Sequence, residues 1–334
     1  MRYYSKLLCI PFFFVCLYAQ ESFSLERLKN TDIEAFMRIW EQADFLKEND
    51  PRLKEKLIQG VTSDNLNQRK YCALLYCQIF NHNLFNQKIF QILVKEVLSD
   101  KENRELRVYA ISYLVFFKKE YSKIVSILID IIKNEKGESV IEALTILGEI
   151  SKNTESESSA KLILKNIISK SKNPLMVQSA IFSLGNLENN AKDLIPFLIK
   201  EFEKRNLQAK IDLSLKGDQR LAILLSLQKI GLENEKSYKS LLKYINDLQM
   251  CYDLRVCLVS ILGTVKKPSV KLIKELEKVV NSRCKRIVLE ALQGLGNFRS
   301  KSKEVLLILK MHTNHPDQEI RESVLKAVKR LSTK

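Results

Sequence analysis

His312 and His315 stand three residues apart, a spacing at which two imidazoles on one surface can grip a metal ion. Two ligands fall short of the four a structural zinc site takes and of the three protein ligands a catalytic zinc keeps. The third histidine, His82, lies between Asn81 and Asn83 in a polar stretch. All three are therefore expected as solvated loop residues, with no metal and no cofactor. Five cysteines, Cys72, Cys77, Cys251, Cys257 and Cys284, lie beyond the first twenty residues. None has CxxC spacing, and an odd number cannot pair completely within one chain. They read as small apolar core groups rather than a disulfide framework.

Other chemistry lacks its residues. No Gly-x-Ser-x-Gly elbow is present, so the strand-to-helix turn that presents a serine nucleophile is not encoded. Gly294 and Gly296 are the only closely spaced glycines, and no Lys-Ser/Thr pair follows them to hold a phosphate and its magnesium. The expectation is a chain that binds rather than catalyses.

Charge is the remaining candidate for function. The 334 residues carry a formal charge of +16. Residues 191–334 hold 29 Lys and Arg against 16 Asp and Glu, whereas residues 1–190 hold 26 against 23. The candidate binding residues are Lys271, Lys274, Lys278, Arg283, Lys285, Arg286, Arg299, Lys301 and Lys303. Lys271, Lys274 and Lys278 recur at helical spacing and share a face. Repeated along a continuous surface, such cations attract an acidic protein, an anionic lipid or an acidic glycan.

The elements that position these residues come from an internal repeat. A slot position is followed by apolar or small residues at +3, +6, +7 and +10. The slots are Arg69, Arg107, Val140, Val177, Arg220, Arg255, Lys285 and Arg321, with a mean spacing of 36 residues. Offsets of 3, 7 and 10 fall on one face of an α-helix. Several copies then reach a glycine, as at Gly148, Gly185, Gly231, Gly263 and Gly296, which suits a C-cap or close packing. A second amphipathic segment precedes each such helix, as in 121–133, 191–205 and 235–249. In 191–205, Asp193 is expected as the N-cap and Pro196 in the first turn. One helix pair cannot bury both apolar faces, so stacked neighbours must complete the core. Gly (9) and Pro (6) are too scarce for a fold rich in tight β-turns. The predicted fold is all-α, an α-solenoid of about eight antiparallel helix pairs over residues 51–334.

The pattern R/V-x-x-A-x-x-a-L-G-x-I, preceded by segments such as Asp193-Leu-Ile-Pro-Phe-Leu-Ile-Lys200, resembles HEAT repeats over about residues 52–332. It is most similar to the short phycobilisome-lyase-like subtype. Spacings scattered from 30 to 43 disfavour tetratricopeptide repeats, which keep a 34-residue period. The resemblance implies partner binding along a concave face lined by the second helix of each pair. It also implies two enzymatic alternatives, a metal-dependent hydroxylase and a lyase. The His-Glu dipeptides of such hydroxylases do not occur here. The basic slot residues are expected to order neighbouring repeats. Val140 and Val177 depart from the basic slot and interrupt that ladder.

Residues 1–19 differ from everything that follows. Arg2 and Lys6 precede an uncharged run at 7–19 (LLCIPFFFVCLYA), closed by Ala19 before Glu21. A basic start, a short apolar stretch and a small residue describe a secretory signal, too short to span a bilayer. Cleavage is expected after Ala19; lipidation at Cys16 is the alternative. Residues 20–50 are expected to form one N-terminal capping helix with Ile33, Phe36, Met37, Trp40 and Phe45 inward. The extra chain near 205–217 reads as a longer link between helices. The leading reading is an exported, non-catalytic scaffold of a bacterial envelope with a protein partner. A HEAT-type enzyme and a peripheral binder of anionic membrane are the alternatives, and export disfavours nucleic acid.

Overall fold

The computed structural model describes residues 23–80, 87–99, 103–208, 218–247 and 250–332. The expected leader at 1–19, His82, and residues 209–217 of the extra chain lie outside them. Among the described residues all regular structure is helical, and no helix is long and apolar enough to cross a membrane. The chain divides into two compact units, 1–117 and 118–334.

The N-terminal unit begins with a 3-10 turn (Leu25–Lys29), α1 (Ile33–Glu41) and α2 (Ala43–Asn49). Where one capping helix was expected, two short helices meet at a break at Gln42. Two pairs follow. The first is α3 (Leu53–Gly60) with α4 (Leu66–Phe80). The second is α5 (Gln87–Ile92), prolonged by a π-helical turn (Leu93–Val97), with α6 (Arg104–Tyr113).

The C-terminal unit holds six pairs. They are α7 (Tyr121–Asn134) with α8 (Glu138–Ser151), and α9 (Glu157–Lys170) with α10 (Pro174–Asn186). Next come α11 (Ile195–Gln208) with α12 (Gln219–Ile230), then α13 (Glu235–Tyr238) with α14 (Tyr252–Leu262). The last two are α15 (Val270–Val280) with α16 (Lys285–Gly296), and α17 (Ser302–Met311) with α18 (Gln318–Ser332). A 3-10 segment, Lys239–Tyr244, continues α13 in place of the single helix expected over 235–249. The architecture is thus an all-α solenoid of paired helices.

Every slot residue falls in the first turn of a second helix. The +3 column, Cys72, Ala110, Ala143, Ala180, Ile223, Leu258, Val288 and Val324, is buried throughout. The +7 column is buried from Tyr76 to Leu292, and Val328 in the final pair is half-buried. The +10 residues Ile79, Phe117, Ile150, Leu187, Ile230, Val265 and Leu295 are buried as well. Each such Leu or Ile contributes roughly 1.5–3 kcal/mol through apolar area withdrawn from water. In the C-terminal unit, each second helix packs on the next, from α8 through to α18.

The glycines divide between the two roles expected of them. Gly231 ends α12 at φ +86°, a backbone state that side chains resist, so it is a true C-cap. Gly148, Gly185, Gly263 and Gly296 are instead contact points between successive second helices. A Cβ on Gly148 would lie 1.8 Å from the Ser183 carbonyl oxygen, and one on Gly263 would lie 2.5 Å from the Gly294 Cα. Gly185 meets Ser226 and Gly296 meets Ala327 in the same way. Hydrogen bonds fill these narrow contacts. The Gly148 N–H donates to Ser183 Oγ at 2.7 Å, and the Ser226 hydroxyl donates to the Ile181 carbonyl at 2.9 Å.

Asp193 departs from its expected place. It lies in a 3-10 turn (Glu188–Leu194) that runs straight into α11, and its carboxylate meets Lys161 Nζ at 3.2 Å. Pro196 does occupy the first turn of α11, where its missing N–H costs nothing.

Candidate binding surface

Stacked pairs present two layers, one of first helices and one of second helices. The layer that carries a residue is set by its distance from the slot, because the buried columns consume one face of each helix. On the second helices, offsets +2, +5 and +9 point away from the core. In the C-terminal unit these positions hold Glu142, Thr145 and Glu149 on α8, Ser179, Phe182 and Asn186 on α10, and Cys257, Ser260 and Thr264 on α14, all exposed or half-exposed. On α12 and α18 the same offsets also hold exposed Lys229, Lys326 and Arg330, whereas Ala222 and Ile287 at +2 are buried.

The basic candidates fall elsewhere. Lys271, Lys274 and Lys278 lie on α15, a first helix, and all three are exposed on one face. Arg283 is exposed in the α15–α16 link, and Lys285 and Arg286 open α16. Arg299 and Lys301 form a 3-10 turn before α17, which carries Lys303 in its first turn. Because α15, α16 and α17 alternate in direction, Lys278, Arg283, Lys285 and Arg286 share one edge of the stack. Lys271, Arg299, Lys301 and Lys303 share the opposite edge. Seven of the nine lie on or beside the first helices α15 and α17, while Lys285 and Arg286 sit at the head of a second helix, so the band follows the first-helix layer and its edges.

Ion pairing divides the band. Lys285 Nζ sits between Asp317 at 2.9 Å and Glu319 at 2.8 Å, at the head of the next second helix. Those carboxylates hold the Lys285 ammonium above its ordinary pKa, and Asp317 is correspondingly lowered, first by the Lys285 hydrogen bond. Lys278 pairs with Glu275 at 3.0 Å, Arg286 with Asp253 at 3.3 Å, and Lys301 with Glu304 at 3.4 Å. Exposed pairs of this kind are screened by solvent and stabilise the fold little. Lys271, Lys274, Arg283, Arg299 and Lys303 form no ion pair among the described residues and remain available to an outside anion. Charge clustering alone missed that the band continues onto other first helices. Exposed Lys200 and Lys204 on α11, Lys236 on α13 and Lys310 on α17 extend it. Their signal was the recurrence of lysine on the helix preceding each slot.

Arg220, Arg255 and Arg321 bond within their own pair rather than ordering neighbouring repeats as expected. Arg69 Nη1 donates to the carbonyls of Ser63 (2.7 Å) and Asp64 (2.9 Å). Arg321 Nη1 does the same to His315 (2.7 Å) and Pro316 (2.8 Å). Arg255 reaches the Ile245 carbonyl at 3.3 Å, and Arg220 pairs with its own N-cap Asp218 at 2.7 Å. Side chains in the first turn of a helix tilt toward its N-terminus, so these guanidiniums meet the link just behind them. Arg69, through Glu96 at 3.1 Å, and Lys285 also reach an adjacent pair. Val140 and Val177 are simply buried at the slot.

The other titratable groups do not assemble into a site. No group of three His, Cys, Asp or Glu able to hold a metal occurs among the described residues. His315 Nδ1 accepts the Asp317 N–H at 3.1 Å and is committed to the turn before α18. His312 ends α17 with its Nε2 buried and without a hydrogen-bond partner, and burial lowers its pKa. All five described cysteines are free thiols. Burial pushes Cys72 up to about 12 and Cys257 up to about 11, which keeps both protonated and inert. Cys284 is the exception. Burial opposes its ionisation, but the Tyr252 hydroxyl, the Ile287 and Arg286 N–H groups at the head of α16, and nearby Arg255 together bring it below its ordinary value.

No protein-family model and no curated protein sequence matches the chain. Solved structures do resemble it. An engineered protein from a structural-genomics programme aligns at 15% identity with a TM-score of 0.52, over 92% of this chain and 83% of its own. At that identity the likeness concerns the fold. A mutant of Kap121p aligns at 14% identity and a TM-score of 0.45, over 95% of this chain. Kap121p bound to Ste12p aligns at 12% and 0.43, over 91%. This chain spans 38% of the length of either Kap121p chain.

Proposed function

We propose that this protein is a non-catalytic, exported scaffold of a bacterial cell envelope that holds an acidic protein partner through the basic band of its C-terminal pairs. The observation that carries the reading is the set of exposed cations Lys271, Lys274, Arg283, Arg299 and Lys303, without ion pairs among the described residues, on or beside the first helices α15 and α17. Cations needed only to balance the chain's own acids would be paired as Lys285 is. A repeated layer of free charge raises the local concentration of an acidic partner and speeds its encounter. The buried column residues are consumed by the fold, whereas the band is open to solvent and free to select a ligand. The envelope location rests on the basic start and apolar run of residues 1–19.

The test replaces Lys271, Lys274 and Lys278 with Gln. These side chains are solvated, so the melting temperature should stay close to that of the parent protein. Affinity for a partner isolated from envelope extract on the immobilised chain should fall about tenfold at low ionic strength, and the difference should shrink as salt is added. Equal affinities at low salt would refute the basic band as the binding surface. Cell fractionation with an antibody to the chain tests location: recovery only from the cytosol would refute export.

A further inference from the structure

In the N-terminal unit a helix already lies across the second-helix face. Phe36 and Trp40 are four residues apart and so project from one side of α1. Asp32 starts that helix by accepting the Ala35 N–H at 2.7 Å. The Phe36 ring stacks on Tyr71 of α4, with centroids 4.2 Å apart and planes 12° from parallel. Trp40 lies against Tyr109 and Tyr113 of α6 at 4.8 and 5.9 Å. The Tyr113 hydroxyl donates to Gln78 Oε1 of α4 at 2.7 Å, tying the two second helices together beneath α1.

The register shows what this seat is. Tyr71 and Tyr109 both occupy the +2 offset from their slots, on the side facing away from the pair's own core. In the C-terminal unit that offset holds half-exposed Glu142, Ser179, Cys257 and Ser323, and the small or aliphatic Ala222 and Ile287, which are buried. Tyrosine stands there in the two pairs that α1 crosses. At +5, Leu74 is wholly buried, whereas Thr145 and Lys326 at the same offset are exposed. In the first two pairs an offset that is polar and half-exposed in four of the six C-terminal pairs carries the aromatic seat of a helix.

At nine residues α1 is too short to hold its helix without the seat. Asn30 interrupts the chain before it and Gln42 after it. A cavity of about 590 Å³ separates α1 from the head of α6, lined by charged Glu34, Arg38, Arg104 and Glu105 as well as Ile33 and Met37. We propose that the tyrosine-lined face of α4 and α6 is a groove for a partner's amphipathic helix carrying two aromatic side chains one turn apart, and that α1 is its releasable built-in occupant. Partner and α1 compete for one seat, so release of residues 33–49 gates binding. This goes beyond the basic band, and its test needs no acidic partner, so the two readings stand or fall separately.

The probe is a fluorescein-labelled peptide of residues 31–50, added to the full chain. The parent protein should bind it weakly, because its own α1 holds the seat. A Phe36→Ala/Trp40→Ala chain should bind it at least about tenfold more tightly, and adding Tyr71→Ala and Tyr109→Ala should remove that binding. A folded Phe36→Ala/Trp40→Ala chain that gains no affinity would overturn the proposal, as would binding indifferent to the tyrosines. Trp40 is the sole tryptophan, so the parent protein offers a second readout. In urea, its emission should move to the red before the helical circular dichroism is lost. Coincident transitions would show that α1 leaves only when the whole unit unfolds, and would also overturn the proposal.

Discussion

Gly148→Ala is expected to destabilise the C-terminal unit by about 3 kcal/mol, against the ordinary preference of helices for alanine. Gly148 lies inside α8, and helix propensity alone would credit the change with about 1 kcal/mol of stabilisation. Packing reverses the sign. The new methyl would lie 1.8 Å from the Ser183 carbonyl oxygen and 2.6 Å from its carbonyl carbon. Both are backbone atoms of α10, so no side-chain rotation relieves the clash. The helices must separate, and the bond from the Gly148 N–H to Ser183 Oγ is lost with the close approach. Urea unfolding measures the effect. A variant as stable as the parent protein would show that α8 and α10 do not approach in this way.

Leu262→Asp is expected to cost about 5 kcal/mol, enough to abolish the cooperative fold of a marginal array. Leu262 is wholly buried at the end of α14, one residue before the contact of Gly263 with Gly294. The substitution removes a buried apolar side chain and puts a carboxylate in its place. Leu262→Met keeps the volume and should cost less than about 1.5 kcal/mol. Thermal melts of the two variants give the comparison. An aspartate variant that melts with the parent protein would place Leu262 at the surface.

The repeat was readable because its columns are strict. A side chain three, seven and ten residues after the slot has one direction in an α-helix, and burial at Ala143, Leu147 and Ile150 follows from that geometry. The pattern specifies which residues bury but not what covers them. Phe36 and Trp40 were therefore recognisable as inward-facing, while their seat on Tyr71 and Tyr109 was not. Gly148 and Gly231 look alike in the repeat, yet one is a point of backbone contact and the other a left-handed cap. The difference depends on the neighbouring helix, at a distance that local sequence does not encode. The slot arginines misled for a related reason, since the link carbonyls they reach are backbone groups and leave no trace in residue type. Clustering disclosed the charge of Lys271 or Arg299, whereas the layer that presents each became clear only once first and second helices were separated.

Register between successive second helices is the premise beneath all of this, and it can be measured directly. Thr145 Oγ1 on α8 lies 3.4 Å from Ser179 Oγ on α10. Thr145→Cys/Ser179→Cys should form an intrachain disulfide under mild oxidation, found by peptide mapping as one linked pair, while Thr145→Cys/Asn186→Cys, about two helical turns out of register, should not. Failure of the first pair to link in the folded protein, or equal linking of both, would contradict the stacked architecture.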